Sequence, residues 1–100
     1  MFEIRKADTI TYVTVLESRL DILIARSVLE KIQKIIDETP QEIHLDVSQL
    51  TFIDSAILGV FVRLHQNAKS AAKKLVFINV SQFIEELFRH THMDRMLHIQ

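Results

Sequence analysis

The chain has 100 residues, of which 48% are apolar, and its twelve basic and thirteen acidic side chains leave a formal net charge of −1. These totals predict one domain over residues 1–100, and the lack of cysteine excludes disulfides, thiol nucleophiles and thiolate metal sites. The balanced charge argues against nucleic acid as a partner. The N-terminus carries charges where a signal peptide would need an apolar core, and no apolar run approaches the roughly 18 residues of a membrane span. We therefore predict a cytoplasmic protein without direct membrane insertion.

Hydrophobic patterning predicts strands that alternate with helices. Strand segments such as ITYVTVL and KLVFINV are rich in β-branched and aromatic residues, whereas the helical segments repeat apolar residues at i, i+3 and i+4. In the first half we predict a strand over residues 10–16, residues 2–6 as its candidate edge partner, and a helix capped by Asp21 that ends at Thr39-Pro40. In the second half we predict a strand over residues 42–47, a loop over 48–55, a helix from Ala56 to about Lys73, a strand over 74–80 and a helix capped by Ser81. The tail MDRMLHI fits either a last turn or an edge strand.

The order β, β, α, β, α, β, α is typical of a small α/β protein. Right-handed crossovers are expected between parallel strands. We therefore expect a mixed, mainly parallel sheet with helices packed on it.

An acidic residue and a hydroxyl, Asp54 and Ser55, stand between the apolar runs LTFI and AILGVFV. A carboxylate left unpaired inside an apolar element would be strongly destabilising, so we expect the chain to reach the surface at this step. The residues alone favour a helix cap at Asp54 or Ser55, because both residue types commonly occupy that position.

A projection of the second helix at 100° per residue places Leu58 and Val62 about 100° and 140° from Ile57, which is expected to face the sheet. They share this stripe with His65, on the side expected to meet water. We therefore predict two exposed apolar side chains near the start of the helix. Single exposed apolar residues are common, so the stripe indicates a partner surface only together with other features.

Neither a metal site nor a catalytic centre is predicted. His90 and His92 would point to different sides of a helix, and for Asp46 and Asp54 ordinary solvation is a simpler interpretation than a shared divalent ion. A serine hydrolase would need a base near Ser55, and FIDSAIL lacks the glycines of the G-x-S-x-G elbow. The chain has one glycine, so it cannot form a G-x-G-x-x-G or Walker loop. We expect no enzymatic activity and no cofactor.

Residues 42–99 resemble the STAS domain, the fold of bacterial anti-sigma factor antagonists. The most specific part of the likeness is the Asp-Ser step after LTFI, with Gly59 four residues beyond the serine. Residues 18–25, SRLDILIA, look like the Gly-x-Leu-Asp turn through which the family enters its first helix. The likeness covers nearly the whole chain.

The resemblance implies that Ser55 is phosphorylated by a Ser/Thr kinase anti-sigma factor of the histidine-kinase-like ATPase class. The unmodified antagonist would bind this partner and free a sigma factor for transcription, and phosphorylation would end the binding. A PP2C-type phosphatase is a further candidate partner. Together with the stripe on the second helix, the resemblance implies a partner-binding set around Ser55 that consists of Asp21, Asp54, Ala56, Ile57, Leu58 and Val62.

The sequence departs from the family pattern at two places. Ala56 and Ile57 replace the Ser-Gly pair of Asp-Ser-Ser-Gly-Leu-Gly, so we expect the Ile57 side chain to stand where a partner would approach the backbone. Ser18 replaces the glycine of the first turn, and we expect it to need an unfavourable backbone angle or a differently shaped loop.

Two other functions fit the same domain. One is an accessory subunit that packs against the ATPase of a lipid ABC transporter, for which the departure at Ile57 is no obstacle. The other is a scaffold subunit in a larger stress-sensing assembly. Neighbouring genes would separate them, since a sigma factor and kinase gene favour the antagonist and transporter genes favour the accessory subunit.

Overall fold

The computed structural model describes residues 1–100 as a layer of three helices packed against one face of a five-stranded sheet. The helices are α1 (Ala25–Glu38), α2 (Ser55–Ser70) and α3 (Gln82–His90). The strands are β1 (Phe2–Lys6), β2 (Ile10–Val15), β3 (Arg19–Leu20), β4 (Glu42–Asp46), β5 (Phe52–Ile53), β6 (Lys74–Ile78) and β7 (His98–Ile99). The sheet has the order β1-β2-β4-β6-β7, with β1 antiparallel to β2 and all other neighbours parallel, and β3 and β5 form a separate parallel pair. None of the helices combines the length and apolar character that a membrane span requires.

The predicted α/β fold is confirmed, and several local predictions agree with the structure. Residues 2–6 pair with β2 at an edge, and β6 lies inside the sheet between β4 and β7. The helix α1 ends at Glu38 with Thr39 as its C-cap, and Ser81 caps α3 through its Oγ, which accepts a hydrogen bond from Ile84 N at 3.3 Å. The tail contains both predicted alternatives, a 3-10 turn at Met93–Arg95 and the edge strand β7.

Two local predictions are wrong. The helix α1 begins at Ala25 with Ile24 as its N-cap, so Asp21 does not cap it. The segments predicted as a turn and a loop contain β3 and β5, which pair in parallel beside the main sheet. Strands of two residues have no alternation of apolar and polar positions, so patterning alone cannot reveal them.

One apolar core fills the space between the helices and the sheet. Alternate residues of the internal strands, such as Val13, Leu45 and Phe77, are fully buried on the side that faces the helices. Phe61 of α2 and Phe88 of α3 close around Phe77, with ring centroids 5.0 Å and 6.2 Å from its own. Because each buried ring contributes roughly 1.5–3 kcal/mol by leaving water, this cluster holds α2 and α3 on the sheet.

The other face of the sheet carries polar and aromatic side chains. Tyr12 and His44 lie side by side on it with ring centroids 5.3 Å apart, and the guanidinium of Arg5 lies 4.3 Å from the Tyr12 centroid. His44 is buried, and its Nε2 is hydrogen-bonded to a carboxylate oxygen of Glu42. This hydrogen bond is the main cause of the lowered pKa of the Glu42 carboxyl, and desolvation opposes it.

Ala72, which follows the C-cap of α2, lies in the left-handed region with φ of 59°, a conformation that strains any side chain and suits glycine. We predict that Ala72→Gly raises the free energy of unfolding by about 0.5–1 kcal/mol, measured by urea denaturation. Ala71→Gly is the matched control, because Ala71 has φ of −91° and glycine there should destabilise the protein. Equal effects of the two substitutions would contradict this account of the helix end.

The lowered pKa of Glu42 makes stability depend on pH. The carboxylate stabilises the fold above its ordinary pKa of 4.5, and this contribution is lost as pH falls through the folded-state value. We therefore predict that Glu42→Gln lowers the free energy of unfolding at neutral pH, and that the difference from wild type becomes smaller as the pH falls below 4.5. Urea denaturation at neutral pH and at a series of acidic pH values tests this, and a difference that does not change with pH would point to packing instead of charge.

Candidate functional site

The carboxylate of Asp54 joins the start of α2 to the turn that precedes α1. Asp54 has extended backbone angles and is the N-cap of α2, where its Oδ1 accepts a hydrogen bond from Ile57 N at 3.0 Å. Its Oδ2 accepts a second hydrogen bond from Ile22 N at 2.8 Å, across 32 positions of sequence. The predicted helix cap is therefore confirmed at Asp54, which leaves the hydroxyl of Ser55 without that role.

The turn after β3 presents two apolar side chains to solvent. Asp21 holds its shape, because Oδ1 accepts a hydrogen bond from Leu23 N at 3.0 Å and Oδ2 accepts one from Arg19 Nε at 3.1 Å. Ile22 is 70% exposed and Leu23 is 88% exposed. The guanidinium of Arg19 also lies 4.1 Å from the ring centroid of Phe52, which links β3 to β5. A turn fixed at these points keeps both apolar side chains in one place.

The carbonyl oxygen of Ser18 anchors the same region from the other side. It accepts hydrogen bonds from Thr51 N at 2.7 Å and from Phe52 N at 3.2 Å. The non-glycine residues with positive φ are Ala72, Asn79 and His92. Ser18 is not among them, so of the two alternatives expected there, an unfavourable backbone angle or a differently shaped loop, the structure excludes the unfavourable angle.

Ser55 and Gly59 are exposed on the same side of α2, one turn apart. A Cβ at Gly59 would have no atom within 4 Å, so packing inside the domain does not require glycine there. Glycine inside a helix is nevertheless about 1 kcal/mol less stable than alanine. The residues gathered here, which we call the Ser55 surface, are Asp21, Ile22, Leu23, Asp54, Ser55 and Gly59.

The other predicted contact residues of α2 are more buried than expected. Leu58 is 7% exposed and belongs to the core, so the prediction that it meets water is wrong. Val62 and Ala56 are half-buried. Ile57 is fully buried, so its side chain does not stand where a partner would approach, and that expectation is wrong as well.

At His65, the segment from α3 to the tail lies beside the side of α2 that the projection left open. His65, on the same stripe as Leu58, lines a cleft of about 520 Å³ together with Glu85 and Arg89 of α3 and residues of the tail. The pKa of His65 is lowered, mainly by burial and then by the charge of Lys69. A helical projection gives the angle of each residue but does not show which neighbouring element covers it, which explains the error.

Sequence reasoning missed the exposed pair in the turn. Ile22 fits the apolar spacing of the predicted first helix, but the helix begins three residues later. When the predicted first helix is projected at 100° per residue, Leu23 lies about 140° from the buried Val28. This angle is the one signal in the sequence that Leu23 points away from the core.

Asp46 has hydrogen-bond partners of its own at the ends of β4 and β6. Its carboxylate accepts from Ser48 N at 2.9 Å and from Asn79 Nδ2 at 3.1 Å. The structure contains no group of three histidine, aspartate or glutamate side chains placed to hold a metal ion.

A family model described as "Mlab, STAS domain" matches residues 6–98, which is nearly the entire chain. The chain belongs to the STAS domain family. The exposed serine, the aspartate before it and the turn beside it therefore form part of a STAS domain, and the resemblance seen in the sequence is confirmed.

Solved structures related to this STAS domain include regulators and a transporter. An anti-sigma factor antagonist from Mycobacterium paratuberculosis is 14% identical, with a TM-score of 0.85, and the match covers 99% of this chain and 83% of that one. The Bacillus cell-fate determinant SpoIIAA, an anti-sigma factor antagonist solved in unphosphorylated and phosphorylated forms, is 16% identical. Its unphosphorylated form has a TM-score of 0.77, and the match covers 100% of this chain and 88% of that one. The murine anion transporter Slc26a9 is 14% identical over 95% of this chain and 16% of its own, with a TM-score of 0.79. At these identities the likeness establishes the fold alone.

Substitutions at Asp54 should separate its two roles in this STAS domain. Asp54→Ala removes both acceptors, and we predict a loss of about 1–3 kcal/mol in the free energy of unfolding. Asp54→Ser keeps one oxygen, which can cap α2 but cannot also reach Ile22 N, so stability should largely recover while the Ile22 amide loses its protection. Urea denaturation and hydrogen exchange at Ile22 measure the two effects, and Ser55→Ala is the control, with a change within about 0.5 kcal/mol. Equal protection of Ile22 in wild type and Asp54→Ser would contradict the shared role.

Proposed function

We propose that this STAS domain is an anti-sigma factor antagonist that binds a Ser/Thr kinase anti-sigma factor through the Ser55 surface. Binding frees a sigma factor, and phosphorylation of Ser55 by the kinase ends the complex until a PP2C-type phosphatase removes the phosphate. The observation that carries the proposal is the exposed hydroxyl of Ser55 beside a rigid turn with two exposed apolar side chains. Family membership supports it, as does the existence of SpoIIAA, of the same fold, in phosphorylated and unphosphorylated forms.

A phosphate on Ser55 is compatible with the fold. It would add about −1.5 to −2 charges at the N-terminus of α2, where the helix dipole and free N–H groups favour a negative group. Ser55 is exposed, so no internal contact would be lost, and solvent would screen the repulsion from the nearby Asp54 carboxylate. Phosphorylation should therefore change the surface and leave the fold intact.

The same charge would oppose partner binding. Ile22 and Leu23 require an apolar pocket on the partner, and closing that pocket would take the neighbouring phosphate out of water. Desolvating or repelling this charge costs on the order of 2–5 kcal/mol, which is roughly a 30-fold to several-thousand-fold loss of affinity. A loss of this size is enough to release the partner.

Ile22 and Leu23 replace Leu58 as the proposed apolar contact, because Leu58 is already covered by the domain itself. Asp21 and Asp54 then act as the frame that holds the turn in place, through the hydrogen bonds to Leu23 N and Ile22 N. Ala56 and Val62 are half-buried and are proposed to lie at the border of the contact, with buried Ile57 beneath it.

Gly59 supports a close approach at this place. The domain does not use the missing side chain, yet glycine inside a helix is less stable than alanine. An exposed glycine one turn from Ser55 would let the backbone of a partner lie directly against α2. This requirement of the complex gives a physical reason for a residue that the isolated fold does not explain.

A transporter subunit is a second candidate function. The matching family model is described as "Mlab, STAS domain", and the transporter Slc26a9 contains a domain of the same fold. In this alternative, the Ser55 surface would bind the ATPase of a lipid ABC transporter. The identity of the bound protein decides between the two functions.

Capture from native extract with wild type, Ser55→Ala, Ser55→Asp and Leu23→Asp as baits tests the proposal. Wild type and Ser55→Ala should retain a histidine-kinase-like ATPase, identified by mass spectrometry, whereas Ser55→Asp and Leu23→Asp should lose it. Met96→Asp is the matched control, since Met96 is 44% exposed in the tail and lies outside the Ser55 surface. Mass spectrometry of wild type should also find phosphate on residue 55.

Two results would contradict the antagonist function. If Ser55→Asp retains every protein that Ser55→Ala holds, Ser55 is not the switch. If the captured ATPase belongs to a transporter, the second candidate is correct.

A further inference from the structure

The outer edge of β1 has a row of backbone groups without partners in this chain. On its inner side, the antiparallel ladder is bounded by two hydrogen bonds of 2.9 Å, from Leu16 N to Met1 O and from Ala7 N to Ile10 O. Backbone groups alternate sides along a strand, so the N–H and C=O groups of the odd-numbered residues of β1 point toward β2. The N–H and C=O groups of Phe2, Ile4 and Lys6 therefore point outward, away from the sheet.

The sequence of this edge, FEIRK, is complementary to itself when it is read in the opposite direction. If two copies pair antiparallel with Ile4 opposite Ile4, Glu3 of each copy lies opposite Arg5 of the other. We propose that this chain forms a two-fold symmetric dimer through β1, so that two five-stranded sheets become one ten-stranded sheet. This inference goes beyond the proposed function and does not depend on it.

The outward backbone groups fit this register. Ile4 would pair with Ile4, and Phe2 with Lys6, as hydrogen-bonded pairs that use the groups left free by β2. Glu3 and Arg5 would then form the non-hydrogen-bonded pairs, in which opposing side chains lie closer together. Backbone and side-chain complementarity therefore favour the same register.

The neighbouring registers are unfavourable. A shift of two positions in one direction places Glu3 opposite Glu3, and a shift in the other direction places Arg5 opposite Arg5, so like charges meet at the two-fold axis. A shift of one position sets an outward backbone group against one already bonded to β2. Charge and hydrogen bonding thus select the register with Ile4 at the centre.

Two side chains are already placed for this contact. Ile4 is 49% exposed on the same face as core residue Val13, its partner in β2, and pairing would bring two Ile4 side chains together out of water. The Arg5 guanidinium lies over the ring of Tyr12, which reduces the freedom it would lose on binding a carboxylate. The same pairing therefore satisfies the open backbone, the exposed isoleucine and both charges.

The dimer should be weak, because a five-residue strand pair covers less than the roughly 1,200 Å² of stable complexes. We expect association between about 10 µM and 1 mM. A two-fold axis through Ile4 makes β2 of one copy antiparallel to β2 of the other. The carboxyl ends of the strands, where the Ser55 surface lies, then point in opposite directions, so that each copy could bind a partner.

Sedimentation of the untagged chain over this concentration range tests the proposal. Wild type should approach a dimer, whereas Glu3→Arg and Arg5→Glu should each raise the dissociation constant at least about tenfold, because each places like charges opposite. An equimolar mixture of the two variants should associate again, since Arg then faces Glu at both pairs. Glu86→Arg makes the same change in net charge as Glu3→Arg, at an exposed site on α3; it is the control and should behave as wild type.

A cysteine cross-link tests the register. Ile4→Cys should form a disulfide between copies, because paired residues have Cα atoms about 5.5 Å apart and the chain contains no other cysteine. Lys6→Cys should cross-link far more slowly, since its counterpart would be about 13 Å away. A wild type that stays monomeric at 1 mM, a mixture of charge variants that fails to associate, or equal cross-linking at both positions would overturn the proposal.

Discussion

Asp54 accepts hydrogen bonds from Ile22 N and Ile57 N, two amides in separate segments of the chain. Because each of its two carboxylate oxygens accepts one of these hydrogen bonds, the start of α2 and the turn after β3 are held in a fixed relation. The arrangement also explains why an acidic residue and a hydroxyl stand side by side between apolar runs. The aspartate takes the structural role, which leaves the adjacent serine exposed at the proposed site of modification.

Several features of the Ser55 surface do not contribute to the stability of the isolated domain. Exposed Ile22 and Leu23 gain little from the hydrophobic effect, and Gly59 lowers the stability of α2 without improving its packing. Each of these features alone would be ordinary on a protein surface. Their position around one serine, on a turn fixed by Asp21 and Asp54, is more readily explained by a complex than by folding.

The Ser55 surface and the outer edge of β1 occupy different parts of the domain, and their chemistry differs accordingly. At the Ser55 surface, apolar side chains and a modifiable hydroxyl suit a partner whose affinity depends on charge. At the edge, backbone groups and alternating charges suit another strand, and their self-complementarity favours a second copy. Charged residues commonly protect edge strands from uncontrolled pairing, and here the same charges, Glu3 and Arg5, would restrict pairing to one register.

The sequence by itself determined the fold class, the order of the main elements, the cap at Ser81, a cap at either Asp54 or Ser55 and the exposure of Ser55, because propensity, periodicity and capping act over a few neighbouring residues. Only the tertiary structure decided which side of α2 is covered, since Leu58 belongs to the core although the helical projection places it about 100° from Ile57. The tertiary structure also decided that Asp21 shapes a turn instead of capping α1, and that β3 pairs with β5. Long-range contacts of this kind depend on where packed elements meet, and no local pattern encodes that position.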